Sequence, residues 1–161
     1  MTRSGLTKKQ LFKTRMGICG EHLPSEDCRN LTSNEVAYRH IYTVIESLGA
    51  DGMSSDESDI DQQGRATFTV KRMPWRAKEL TEMLVRVDKD YNRTNMFGNQ
   101  KSGNPARHRE RRKGRESARS APARKPGNFY DQDWYHALSA KQKMDLERES
   151  DVEVLDIEVD L

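Results

Sequence analysis

The sequence predicts a small α-rich α+β module, two amphipathic helices plus a short strand, with a C-terminal short helical segment and a large part of the chain disordered. Three observations lead there. Two stretches repeat apolar residues at helical spacing, one alternates them at strand spacing, and much of the remainder is too polar to fold by burial. Charged residues make up 34% of the 161 positions, the same share as the whole hydrophobic class, and the mean hydropathy is −0.99. Such a chain removes too little apolar surface from water to offset about 1–2 kcal/mol of backbone entropy per ordered residue.

Residues 1–30 read as a basic flexible arm, with Arg3, Lys8, Lys9, Lys13 and Arg15 and no acid before Met16. A module of helix, acidic loop, strand and helix follows over 31–91. Its first helix has Ser33 or Asn34 as N-cap and Ala37, Ile41, Val44, Ile45 and Leu48 on one face, with Gly49 placed as a left-handed C-terminal cap. Gly52 to Asp59 has no structural period and reads as an acidic linker. Ala66 to Lys71 reads as a strand with Phe68 and Val70 on one side; its pairing partner is not visible. Pro74 introduces the second helix, with Leu80, Leu84, Val87 and Tyr91 aligned, Met83 beside them and Trp75 packed under the first turn. The two stripes are expected to face each other.

Residues 92–127, rich in Asn, Gly, Arg, Ser and Pro, read as a disordered basic linker. In the aromatic segment 128–148, Asp131 caps a short turn of helix holding Trp134, Tyr135 and Leu138. Ser139 to Gln142 has capping-box spacing and opens a run to about Arg148. An acidic tail, 149–161, alternates apolar and acidic residues like an edge strand.

Several strings are distinctive in their order. They are Leu48 to Ser58, Met73 to Leu80, Asn92 to Asn95, Gly98-Asn99, Gly103 to Pro105, and Pro126 to Tyr130 with Trp134, Tyr135 and Leu138. Over about residues 35–147 this set resembles an expanded group of uncharacterised proteins of mushroom-forming (basidiomycete) fungi. The acidic, alternating C-terminus departs from that group. The resemblance implies a fungal intracellular setting and one module reused across paralogues, and brings no activity with it.

Chemistry is sparse. Cys19, His22, Cys28 and His40 are the residues from which a metal site could be drawn, but their gaps match no zinc module, and no metal or other cofactor is expected. Ser, His and Asp occur in no nucleophile elbow, P-loop, HExxH or dinucleotide fingerprint, so no catalytic residue is assigned and a non-enzyme is expected. No apolar run reaches the length of a membrane span, and no signal peptide is visible, so membrane association and secretion are not expected.

The strongest partner signal is the string containing Arg107, Arg109, Arg111, Arg112, Lys113 and Arg115. It is either a nuclear-import and phosphate-neutralising string, giving weak nonspecific contact with DNA or RNA, or a solvated linker balanced by the acidic tail. Ser54 and Ser58 each have an acid three residues on and suit an acidophilic kinase. Val152, Val154 and Leu155 form the apolar-x-apolar-apolar pattern of a SUMO-interacting motif, which binds by strand addition; the same alternation suits docking on the chain's own Ala66 to Lys71 edge. The expected function is that of a nuclear adaptor with protein partners of unknown identity. The alternatives are a decayed or truncated paralogue, or a cytoplasmic assembly factor completed by a partner chain.

A peptide of residues 148–161 titrated with labelled SUMO should bind with micromolar affinity, about −6 to −8 kcal/mol. Val154→Ala with Leu155→Ala should abolish the response, and equal signals from both peptides would remove the motif.

Overall fold

The computed structural model describes residues 8–21, 23, 32–53, 56–60, 62–64, 66–97 and 109–152, with the backbone alone at 56–60, 66, 68, 90–97 and 109–115. It is a small α-rich α+β fold. In chain order the elements are α1 (Lys8–Glu21), α2 (Ser33–Leu48), a 3-10 turn (Ala50–Gly52), β1 (Asp56–Ile60), β2 (Ala66–Arg72), α3 (Lys78–Phe97), β3 (Arg109–Glu116), a 3-10 turn (Gly127–Phe129), α4 (Gln132–His136) and α5 (Ala140–Leu146).

The two expected amphipathic helices form. In α2 the whole stripe Ala37, Ile41, Val44, Ile45 and Leu48 is buried, joined by Tyr38. Its cap lies one residue earlier than the sequence suggests. Thr32 accepts from the Glu35 amide while the Glu35 carboxylate accepts from the Thr32 amide, a reciprocal capping box. These hydrogen bonds hold the Glu35 carboxyl below its ordinary pKa. Gly49 ends the helix at φ 67°, ψ 177°, a left-sided conformation that disfavours any Cβ. The chain then turns so tightly that a Cβ on Gly52 would stand 2.2 Å from Leu48 Cδ1. In α3, Leu80, Met83, Leu84 and Val87 are buried, and Trp75 lies beneath them at 1% exposure.

The basic arm of the sequence reading contains a helix, α1, and this corrects the picture of a flexible N-terminal segment. Leu11, Arg15, Ile18 and Cys19 all sink into the interior. They stand at i, i+4, i+7 and i+8, a helical stripe with an arginine in its second place. α1 packs on both α2 and α3, so the two expected stripes meet in a core with a third wall rather than only each other.

Arg15 explains that third wall. Its guanidinium donates from Nε to Asp88 Oδ1 at 3.0 Å and from Nη2 to Asp88 Oδ2 at 2.9 Å, a two-pronged ion pair between α1 and α3. Nη1 lies 2.9 Å from Met53 Sδ, after the first 3-10 turn. Arg15 is 1% exposed. A buried charge is tolerated only when paired and hydrogen-bonded, and the fork geometry does both. Arg76 plays a similar part nearby: buried, it donates from Nε to Thr81 Oγ1 and from Nη1 to the Gly52 carbonyl, each at 3.1 Å.

The strand expected at Ala66 to Lys71 is present as β2, and its missing partners are two. β1 pairs with it antiparallel, from Asp56 opposite Val70 to Ile60 opposite Ala66. β3 pairs parallel on the other side, from Phe68 opposite Arg109 to Arg72 opposite Glu116. The acidic linker and the basic linker of the sequence reading therefore each contribute a strand. Thr67, Thr69 and Val70 are buried, yet no β2 residue belongs to the apolar core cluster of the described residues. The sheet stands beside the helical core.

From Ser117 onward the chain wraps the core through its backbone. The Ser117 amide donates to the Arg72 carbonyl, the Ala77 amide to Phe129 and the Asp131 amide to Trp75, at 2.8, 2.9 and 2.7 Å. Phe129 and Tyr130 are fully buried. Tyr130 packs tilted against Trp75, with ring centroids 6.0 Å apart, and stacks with Trp134 at 6.2 Å. Its hydroxyl donates to the Pro122 carbonyl at 2.6 Å, and burial raises its pKa above the ordinary phenol value. Asp131 caps α4 and Ser139 caps α5 with Gln142, as the spacing anticipates. α5 ends at Leu146, where Glu147 adopts φ 44°, ψ 53°.

Arg15→Ala should cost about 3–5 kcal/mol of unfolding free energy, because it strands the Asp88 carboxylate. Arg15→Met combined with Asp88→Leu should recover most of that loss. Urea midpoints of the two variants check this; a double variant no better than Arg15→Ala would show that the loss comes from packing.

Candidate nucleic-acid interface

The basic string lies on β3. Arg109, Arg111, Arg112, Lys113 and Arg115 occupy a strand that also holds Glu110 and Glu116; Arg107 lies outside the described residues. Backbone pairing with β2 positions the string. The register runs evenly from Phe68/Arg109 to Val70/Arg111, and then residues 112–115 bulge opposite the single residue Lys71 before Glu116 meets Arg72. Extra residues in an edge strand break the ladder and bend the strand locally. The Arg72 guanidinium also reaches Glu116, 3.6 Å away on the surface. The structure thus turns what reads as a disordered linker into an extended, basic sheet edge.

The opposite edge is β1, Asp56-Glu57-Ser58-Asp59-Ile60. Ser58 is a paired strand position opposite Phe68, rather than a residue of an acidic loop; Ser54 lies outside the described residues. β2 has a strand on each side, so docking of the C-terminal tail on the Ala66 to Lys71 edge would require displacing one of them.

Of the SUMO-motif residues, Val152 is described and Val154 and Leu155 are not. Val152 is partly buried against the core. Its amide donates to Asn128 Oδ1 at 3.2 Å, and its carbonyl accepts from Asn128 Nδ2. Upstream, the Gly127 amide donates to Glu149 and the Glu149 amide to Lys125, both at 3.0 Å. This seam is tight enough that a Cβ on Gly127 would meet Asp151 Oδ1 at 2.6 Å. Strand addition beginning at Val152 would compete with the Asn128 clamp.

A cleft of about 530 Å³ opens where α1 meets the C-terminal wrap, bordered by Lys8, Asp51, Arg124, Lys125, Asp145 and Glu147. Its charges are largely engaged within the chain. Lys8 Nζ donates to the Asp51 carbonyl at 3.2 Å, Lys125 Nζ to the Ser47 carbonyl at 3.3 Å, and Arg124 Nε to Glu147 Oε2 at 2.6 Å. Burial, and then the neighbouring Arg119 charge, hold the Lys8 ammonium below its ordinary pKa. Trp134 and Tyr135 are packing residues, both set partly buried against the core. The Tyr135 ring carries the Arg148 guanidinium 4.2 Å and the Lys143 ammonium 5.4 Å from its centroid.

Of the four thiol and imidazole residues, Cys19 is buried and unbridged, while His22 and Cys28 lie outside the described residues. Among the described residues no group of three or more His, Cys, Asp or Glu could hold a metal ion, and no helix is long and apolar enough to cross a membrane.

A helical core with a three-stranded sheet beside it and a basic sheet edge is thus the class of protein this chain represents. The chain belongs to the family described as a domain of unknown function (DUF8263), whose model matches residues 24–154. No significant match was found among curated proteins or among solved structures. The family match begins after α1, although α1 supplies the Arg15 that pairs with Asp88 inside the matched region.

Asn128→Ala removes both contacts to the Val152 backbone. Amide exchange at Val152 should accelerate roughly 2- to 12-fold, the equivalent of about 0.5–1.5 kcal/mol for one hydrogen bond, while the Glu149 amide stays protected. Unchanged exchange at Val152 would show that other contacts hold the segment.

Proposed function

We propose that this chain is a non-enzymatic nuclear adaptor, whose β3 edge makes weak, sequence-nonspecific contact with DNA or RNA and whose helical module takes a protein partner. The observation that supports this reading is the concentration of five bases on one edge strand. An extended strand advances about 3.3 Å per residue, close to the 3.4 Å advance per phosphate along one strand of DNA. A basic strand can therefore follow a row of phosphates in near-matching steps, releasing counterions as it does so. The strand contains no aromatic residue, so base stacking adds nothing and sequence is not read. The same bases would serve as a nuclear-import string. The resemblance places this activity in a fungal cell.

Binding to a short DNA duplex, followed by fluorescence anisotropy, should fall steeply with salt. Each phosphate neutralised contributes about −0.9 to the slope of log affinity against log salt. Replacing Arg109, Arg111, Arg112 and Lys113 by Ala should flatten that slope by about 3–4 and remove the protein from the nucleus. Binding that is insensitive to salt, or a substituted protein that stays nuclear, would defeat the proposal.

A further inference from the structure

The two outer strands of the sheet carry opposite charge. β1 holds three acids and no base, whereas β3 holds five bases against two acids. They are the two edges of the sheet, with β2 between them. Val70 has Asp56 on one side and Arg111 on the other, Thr69 has Glu57 and Glu110, and Phe68 has Ser58 and Arg109. Among the described residues, no other backbone hydrogen bond reaches β1 or β3 from outside the sheet. Each therefore presents an outer row of amide and carbonyl groups, the template through which strands add to one another.

Charges on edge strands usually prevent such pairing, and here they prevent only half of it. Two β1 edges repel each other, as do two β3 edges. β1 against β3 is the one attractive combination. Direction agrees with charge: β1 runs antiparallel to β2 and β3 runs parallel to it, so β1 and β3 run opposite ways. A second molecule displaced across the sheet without rotation sets its β1 beside the first molecule's β3, antiparallel and with sheet faces matched. Antiparallel pairing is the slightly more favourable ladder. The geometry points to head-to-tail self-association, with the β1 edge of one copy adding to the β3 edge of the next. Such an interface is heterologous, so each added copy leaves a fresh β1 or β3 edge exposed and the assembly is a series rather than a closed dimer, unless rotation closes a ring. The inference goes beyond the nucleic-acid reading, and a bound phosphate backbone would compete with it for β3.

The test is sedimentation of the full chain, freed of nucleic acid, at rising concentration in low and high salt. A concentration-dependent series with a dissociation constant of about 0.01–1 mM is expected, weakened at least about tenfold at high salt, where exposed charges are screened. Reversing β1 (Asp56→Lys, Glu57→Lys, Asp59→Lys) should leave monomers, as should reversing β3 (Arg109→Glu, Arg111→Glu, Arg112→Glu). Circular dichroism checks that both variants retain their fold. An equimolar mixture of the two should associate again, because each then carries an edge complementary to the other's, and misfolded chains would not recover in this way. A chain that stays monomeric at about 1 mM in low salt, or a mixture that fails to recover, would overturn the inference. So would loss on reversing β3 alone, which would mean that another acidic segment occupies that edge. The β1 variant keeps all five bases, so its DNA binding reports on the nucleic-acid reading separately.

Discussion

The pairing of Arg15 with Asp88 is the constraint around which the helices are arranged. Two charges inside a small core are held there because each satisfies the other with two hydrogen bonds, and because Met53 covers the remaining side of the guanidinium. The pair fixes α1 on α3 at one height and one rotation, since a slip of a single turn would bury both charges without partners. Apolar contacts alone would tolerate such a slip. Leu11, Ile18 and Cys19 give the helix a reason to be buried, and Arg15 gives it a place.

That same pair explains which helices were legible in the sequence. In α2 and the first half of α3 every interior position is apolar, so the stripes at Ala37 to Leu48 and Leu80 to Val87 announce themselves. In α1 the stripe reads Leu11, Arg15, Ile18, Cys19, and a search for apolar periodicity rejects it at the second place. Asp88 follows Val87 as the next interior position of α3 and looks, taken alone, like a solvent-facing acid. Each charge has its meaning only through a residue far away in the chain. The capping residues Asp131 and Ser139 were legible for the opposite reason, because the amides they satisfy are three residues away.

The sheet shows a second limit. β2 carries strand-forming residues and is readable locally, while β1 and β3 are made of Asp, Glu, Ser, Arg and Lys and are strands only because β2 pairs with them. Composition identified the basic string as a partner-binding element and missed that it is held straight at a sheet edge. The close of the chain behaves alike. Glu149 and Val152 are held by backbone contacts to Lys125 and by Asn128, and hydrogen bonds of that kind leave no pattern in hydropathy. What was missed lies mainly in contacts between backbones and between paired charges.

The order of strands around β2 also sets an order in time. β1 and β2 are joined by a short turn and run antiparallel, so they can close as a hairpin as soon as both exist. β3 runs parallel to β2 and is separated from it by the whole of α3, which means that a long loop must close before that ladder rewards it. On a ribosome the acidic half of the sheet would assemble while the basic half was still being made. Until β3 arrives, the inner edge of β2, with Thr67, Thr69 and Val70 destined for burial, stands open to any extended chain nearby. The nascent protein therefore passes through an interval in which its central strand has one neighbour, and chaperones or its own unfinished segments have access to the place that β3 will fill.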